Sequence, residues 1–129
     1  MESYMNRISN TGIVPVVKIL EKEDAYPLAK ALLNGGIDVI EVTYRSEHAT
    51  SAIQTISEQL PDMLVGAGTV LSVEQAKEAV EAGAKFIITP GFNTKVVQWC
   101  LDHDVEVYPG VSTASEVEMA LSMGLTQLK

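Results

Sequence analysis

Apolar, strand-like runs begin roughly every 20 to 26 residues, each followed by a helical pattern, and this alternation predicts an α/β fold. Strict alternation of strand and helix makes the sheet parallel. The strands are near-continuous apolar runs, as expected when helices cover a face of the sheet. An open doubly wound sheet and a (β/α)8 TIM barrel both satisfy these observations. Polar residues gathered at the carboxyl ends of successive strands (Glu41, Thr43, Arg45, Thr69, Thr89 and Lys129) favour the barrel. The expectation is a barrel represented by its first five strand–helix units and the start of the sixth strand. Such barrels take about 200 residues or more, so residues 1–129 read as one barrel domain truncated or interrupted at that strand.

The elements follow from local chemistry. Residues 1–9 form a short helix ahead of a turn at Asn10, Thr11 and Gly12. Residues 13–19 are dense in β-branched side chains and read as a strand, with Pro15 the one irregularity. Asp24 caps a helix whose buried face is Ala25, Leu28, Ala29, Leu32 and Leu33, and Gly35 and Gly36 end it. A second strand spans residues 37–43, and a helix follows over residues 48–60. Pro61 and Asp62 turn the chain into a strand over residues 64–69. Ser72 and Gln75 have the spacing of a capping box, and that helix stops at Gly83. A strand over residues 86–89 is closed by Pro90 and Gly91, and Asn93 or Thr94 starts the next helix. A strand over residues 105–108 ends at Pro109 and Gly110, and Thr113 and Glu116 form a second capping box. Its helix stops at Gly124, and residues 125–129 begin one more strand.

Composition narrows the function. A net charge of -8 disfavours nucleic acid and anionic membrane as partners, since both call for a basic face. No opening signal segment and no membrane-length apolar run is present, so a cytoplasmic protein is expected. The single cysteine, Cys100, sits in an apolar helical pattern and reads as a small buried hydrophobe rather than a nucleophile. His48 and His103 lie far apart with no second ligand at metal spacing, and read as surface histidines. Neither a metal site nor a glycine-rich cofactor loop is expected.

Three stretches carry chemistry. Alternation along the second strand places Glu41, Thr43 and Arg45 on one face, where a packed sheet would bury apolar groups. A carboxylate beside a guanidinium suits a general base next to an anion clamp, with a structural ion pair as the alternative. Lys129, on a strand, reads either as a desolvated amine able to form a Schiff base or as a solvated chain end. Thr69 follows Gly66, Ala67 and Gly68, a pattern that offers a hydroxyl and close-approaching amides to an anion, and that a tight turn explains as well.

Residues 35–45 (GGIDVIEVTYR), 65–71 (VGAGTVL), 86–91 (FIITPG), 108–113 (YPGVST) and 124–129 (GLTQLK) together resemble the KDPG and 4-hydroxy-2-oxoglutarate aldolase family, and the likeness runs from Gly12 onward. The resemblance implies a class I aldolase on a (β/α)8 barrel, working without metal or cofactor through a covalent Schiff base. It places that Schiff base on Lys129 and the catalytic acid–base on Glu41. Substrate binding falls on Arg45, Thr69, Gly68 and Pro90. The implied ligands are pyruvate and an aldehyde, either glyceraldehyde 3-phosphate or glyoxylate, and the implied assembly is a homotrimer. A phosphogalactonate-specific aldolase would use the same residues. A metal-dependent aldolase is a further reading, and a non-catalytic barrel fragment serving as a binding or assembly module is one from another class.

Overall fold

Val- and Ile-rich runs set the strands and Gly, Pro and Asn set their ends, so the elements come in the expected order. The computed structural model describes residues 3–129. In chain order these are α1 (Tyr4–Thr11), β1 (Val16–Val17), α2 (Ala25–Asn34), β2 (Val39–Thr43), α3 (Ala49–Gln59), β3 (Leu64–Gly68), α4 (Val73–Glu81), β4 (Phe86–Thr89), α5 (Thr94–Asp102), β5 (Glu106–Pro109) and α6 (Ala114–Ser122). The strands form one parallel sheet in the order β1-β2-β3-β4-β5. A doubly wound sheet reverses its strand order partway; this sheet does not.

The two faces of the sheet differ in what covers them. Ile40, Val42, Val65, Ala67 and Ile87 point to one face and pack on Ala29, Ile53, Ile56, Ala76, Ala79, Val96, Val97 and Cys100 from α2, α3, α4 and α5. Alanines on the sheet side of α2, α3 and α4 let these helices lie close. The opposite face carries a smaller apolar cluster of Val39, Leu64, Phe86, Ile88 and Tyr108, against which Tyr4, Met5, Ile8 and Val14 pack. By alternation Glu41 and Thr43 share this second face with Val39.

Several expectations are corrected. The expected strand at residues 13–19 shrinks to Val16–Val17. Pro15 has no N–H to donate, although its carbonyl still accepts from Glu41 N at 2.9 Å. Lys18 lies beyond this strand and is exposed. Asp24 does not cap α2: it closes a 3₁₀ turn over Lys22–Asp24 in a helical conformation, with no cap bond from its side chain. Leu28, expected on the buried face of α2, is 37% exposed. The first capping box is half formed, because Ser72 accepts from Gln75 N but the Gln75 side chain turns to Leu71 N instead. The second is complete, with Thr113 and Glu116 exchanging bonds. The expected strand at residues 125–129 is not formed. Leu125 N is spent on Ala120 O at the end of α6, and only Lys129 reaches the sheet. There Lys129 N donates to Pro109 O and Val111 N donates to Lys129 O, both at 2.9 Å, one rung of a parallel ladder beside Gly110.

Candidate active site

The carboxyl ends of the strands bring the chemically active residues together. Glu41 sits on β2 opposite Gly66, and Thr43 opposite Gly68. These glycines share the face of Glu41 and put no side chain on it. A Cβ on Gly68 would overlap the Glu41 carboxylate, so the acid occupies space that only glycine leaves free. Immediately after β3, Thr69 has φ 53°, a left-handed conformation that costs a β-branched residue energy and that gathers at functional sites.

Glu41 is 3% exposed. Burial lifts its carboxyl pKa above the ordinary 4.5, while the positive charges of Lys129 and then Arg45 pull it back. A residue that follows β2 and one that pairs beyond β5 thus act on one carboxylate. Among the described residues no ion pair joins Glu41 and Arg45. The Arg45 guanidinium instead donates from Nε to Thr43 Oγ1 at 3.0 Å, and Thr43 Oγ1 donates to Val17 O at 2.8 Å. Arg45 is exposed beyond that contact.

Other expected site residues are placed as follows. Pro90 is exposed and lines a pocket with Val70, Leu71, Thr89, Phe92 and Asn93. Gly110 lies so close to the Pro90 carbonyl that any Cβ there would collide with it. Lys129, the last residue of the sequence, is exposed and meets the sheet through Pro109 O and Val111 N, both at 2.9 Å. Thr89 shares the parity of Ile87, on the helix-covered side, and its hydroxyl donates to Gly91 O at 2.7 Å, so it fixes a turn. The sequence did not single out Thr43 as the partner of Arg45; the signal was present in the alternation, which put both on one face. Gly110 was read as a strand terminator, and its close approach to Pro90 was not visible.

The remaining candidates fall outside this cluster. Cys100 is buried, and its thiol is pushed up to about 12 by burial. His103 ends α5 against Trp99 O at 2.8 Å with its ring stacked on the Trp99 ring, while His48 sits at the start of α3. Among the described residues no group of His, Cys, Asp or Glu is placed to hold a metal ion, and no helix is long and apolar enough to cross a membrane.

Fold and site together define an α/β protein of singly wound parallel sheet, carrying an acid, an arginine and a lysine at the strands' carboxyl ends. The sequence model of KDPG and KHG aldolase matches residues 4–129, and the chain belongs to that family. It is 46% identical over 129 residues to a 2-dehydro-3-deoxy-phosphogluconate aldolase of Treponema pallidum, covering all of this chain and 61% of that protein. It is 42% identical over 123 residues to a KHG/KDPG aldolase of Escherichia coli, covering 95% of this chain and 58% of that protein. A KDPG aldolase of Legionella pneumophila, crystallised with pyruvate captured as a covalent carbinolamine intermediate, superposes with a TM-score of 0.83 at 42% identity. That match covers 86% of this chain and 54% of the Legionella chain. The chain thus spans roughly three fifths of the length of these curated relatives.

Proposed function

We propose that the protein is a class I aldolase that cleaves, and in reverse forms, a 2-keto-3-deoxy-6-phospho sugar acid or 4-hydroxy-2-oxoglutarate. The products are pyruvate and an aldehyde, glyceraldehyde 3-phosphate or glyoxylate. One observation carries this reading: the buried Glu41 carboxylate, seated in the space that Gly68 leaves free, lies on the strand that leads into Arg45, while Lys129 joins the far side of the same sheet at Pro109. The single winding of the sheet, with α2 to α5 on one face, supports taking it as part of a (β/α)8 barrel with Lys129 at the sixth strand. A homotrimer in the cytoplasm is the expected setting, by analogy with the family.

In this mechanism Lys129 gives up its ammonium proton and its amine adds to the ketone carbon of the 2-keto acid, giving a carbinolamine. Loss of water, with Glu41 supplying the proton, yields the protonated imine. Glu41 then takes the proton from the C4 hydroxyl as the C3–C4 bond breaks, and the electron pair flows into the imine to leave an enamine. The aldehyde departs, the enamine is protonated at carbon, and water releases pyruvate and the free lysine. Arg45 and Thr69 hold the carboxylate, and Gly68 and Pro90 shape the approach, so that the ketone carbon meets the amine in reactive geometry.

The test is pyruvate release, followed with a coupled lactate dehydrogenase, from each of the two keto acids in the presence of a chelator. Chelator-resistant release supports the reading. Absence of pyruvate from both substrates contradicts it, as does activity that the chelator abolishes.

A further inference from the structure

The geometry points to Thr43 as a positioning residue that aims the Arg45 guanidinium at the substrate carboxylate, an assignment that rests on the Schiff-base reading above. Thr43 is 1% exposed at the carboxyl end of β2. A hydroxyl has one proton to give. Here it goes to Val17 O at 2.8 Å, across the β1–β2 boundary. That fixes the rotor and turns an oxygen lone pair toward Arg45, whose Nε–H donates to it at 3.0 Å.

The consequence is a guanidinium held by one edge. With Nε engaged, the two terminal nitrogens are left as the free donors, and they form the fork that binds a carboxylate bidentately. Arg45 itself lies beyond the last residue of the strand and is exposed, so the sheet alone does not orient it. The Thr43 hydroxyl transmits the position of the β1–β2 pair to that side chain. Valine has nearly the same shape as threonine, so a packing role for Thr43 would survive substitution by valine. A hydroxyl role would not.

The experiment measures borohydride trapping on the full-length protein, with pyruvate and with its neutral amide, pyruvamide, each titrated to half-maximal trapping. For Thr43→Val the half-maximal pyruvate concentration is expected to rise about tenfold, the size of a lost bond to a charged group. The pyruvamide value is expected to stay unchanged, and Thr43→Ser is expected to restore the pyruvate value. Thr43→Cys keeps the shape with only a weak donor and acceptor, and it reads the same shift should the valine methyl against Val17 O prevent folding. Unchanged pyruvate trapping in the variants overturns the proposal, as does an equal loss for pyruvate and pyruvamide. If the unmodified protein traps neither compound, the Schiff-base reading itself fails, which is a separable result.

Discussion

The Glu41 carboxylate occupies the space that a side chain on Gly68 would need. One strand's acid is thus admitted by its neighbour's glycine, and the pairing of Thr43 with Gly68 in the β2–β3 register holds the two strands in that relation.

Replacing Gly68 by alanine tests this directly. The added methyl has to displace either the carboxylate or the strand, an overpacking cost of about 1–3 kcal/mol. Urea unfolding is expected to shift by that amount, and pyruvate release is expected to fall sharply because Glu41 is pushed from its place. Unaltered stability together with unaltered turnover would show that Glu41 does not need the gap.

Glu41→Gln separates chemistry from stability. Losing the acid–base proposed at this position is expected to slow turnover by about 100- to 10,000-fold. The stability effect follows from the direction of the Glu41 shift. Its pKa in the folded state lies above the ordinary value, so the fold favours the neutral carboxyl. That contribution is present below the unfolded-state pKa and is lost as pH rises through the folded-state pKa. Glutamine stays neutral throughout, so the variant is expected to gain stability relative to the unmodified protein between pH 4 and pH 7. Urea midpoints at the two pH values check the sign; a gap that moves the other way would mean that ionised Glu41 is the form the fold prefers.

Cys100 makes a prediction about what is not in the site. Buried in the core with its thiol pushed up to about 12, it is expected to resist alkylation at neutral pH in the folded protein and to react readily in urea. Activity is expected to survive exposure of the folded protein to iodoacetamide. Rapid labelling with loss of turnover would bring the thiol back as a candidate.

Period and punctuation made the fold legible. β4 came out as expected, and β2, β3 and β5 differ at their ends by a residue or two, because Val-, Ile- and Phe-rich runs bounded by Pro and Gly leave little choice. The edges were less legible. β1 shortened because Pro15 cannot donate, and Asp24 entered a 3₁₀ turn where a cap was expected. In residues 125–129 only Lys129 pairs with the sheet, because Leu125 N is spent on Ala120 O, a backbone choice that no periodicity encodes. In the site, alternation alone put Glu41, Thr43 and Arg45 on one face. It did not say that Thr43 would bond Arg45, since hydrogen-bond partners are tertiary facts.

The central claim is that Lys129 is the covalent nucleophile. The most direct measurement is borohydride reduction of the full-length protein with pyruvate, followed by peptide mass mapping, on the unmodified protein and on Lys129→Ala. One stable adduct is expected on the peptide containing Lys129, with no adduct and no pyruvate release in the variant. An adduct on a different lysine, or full activity in Lys129→Ala, would contradict it.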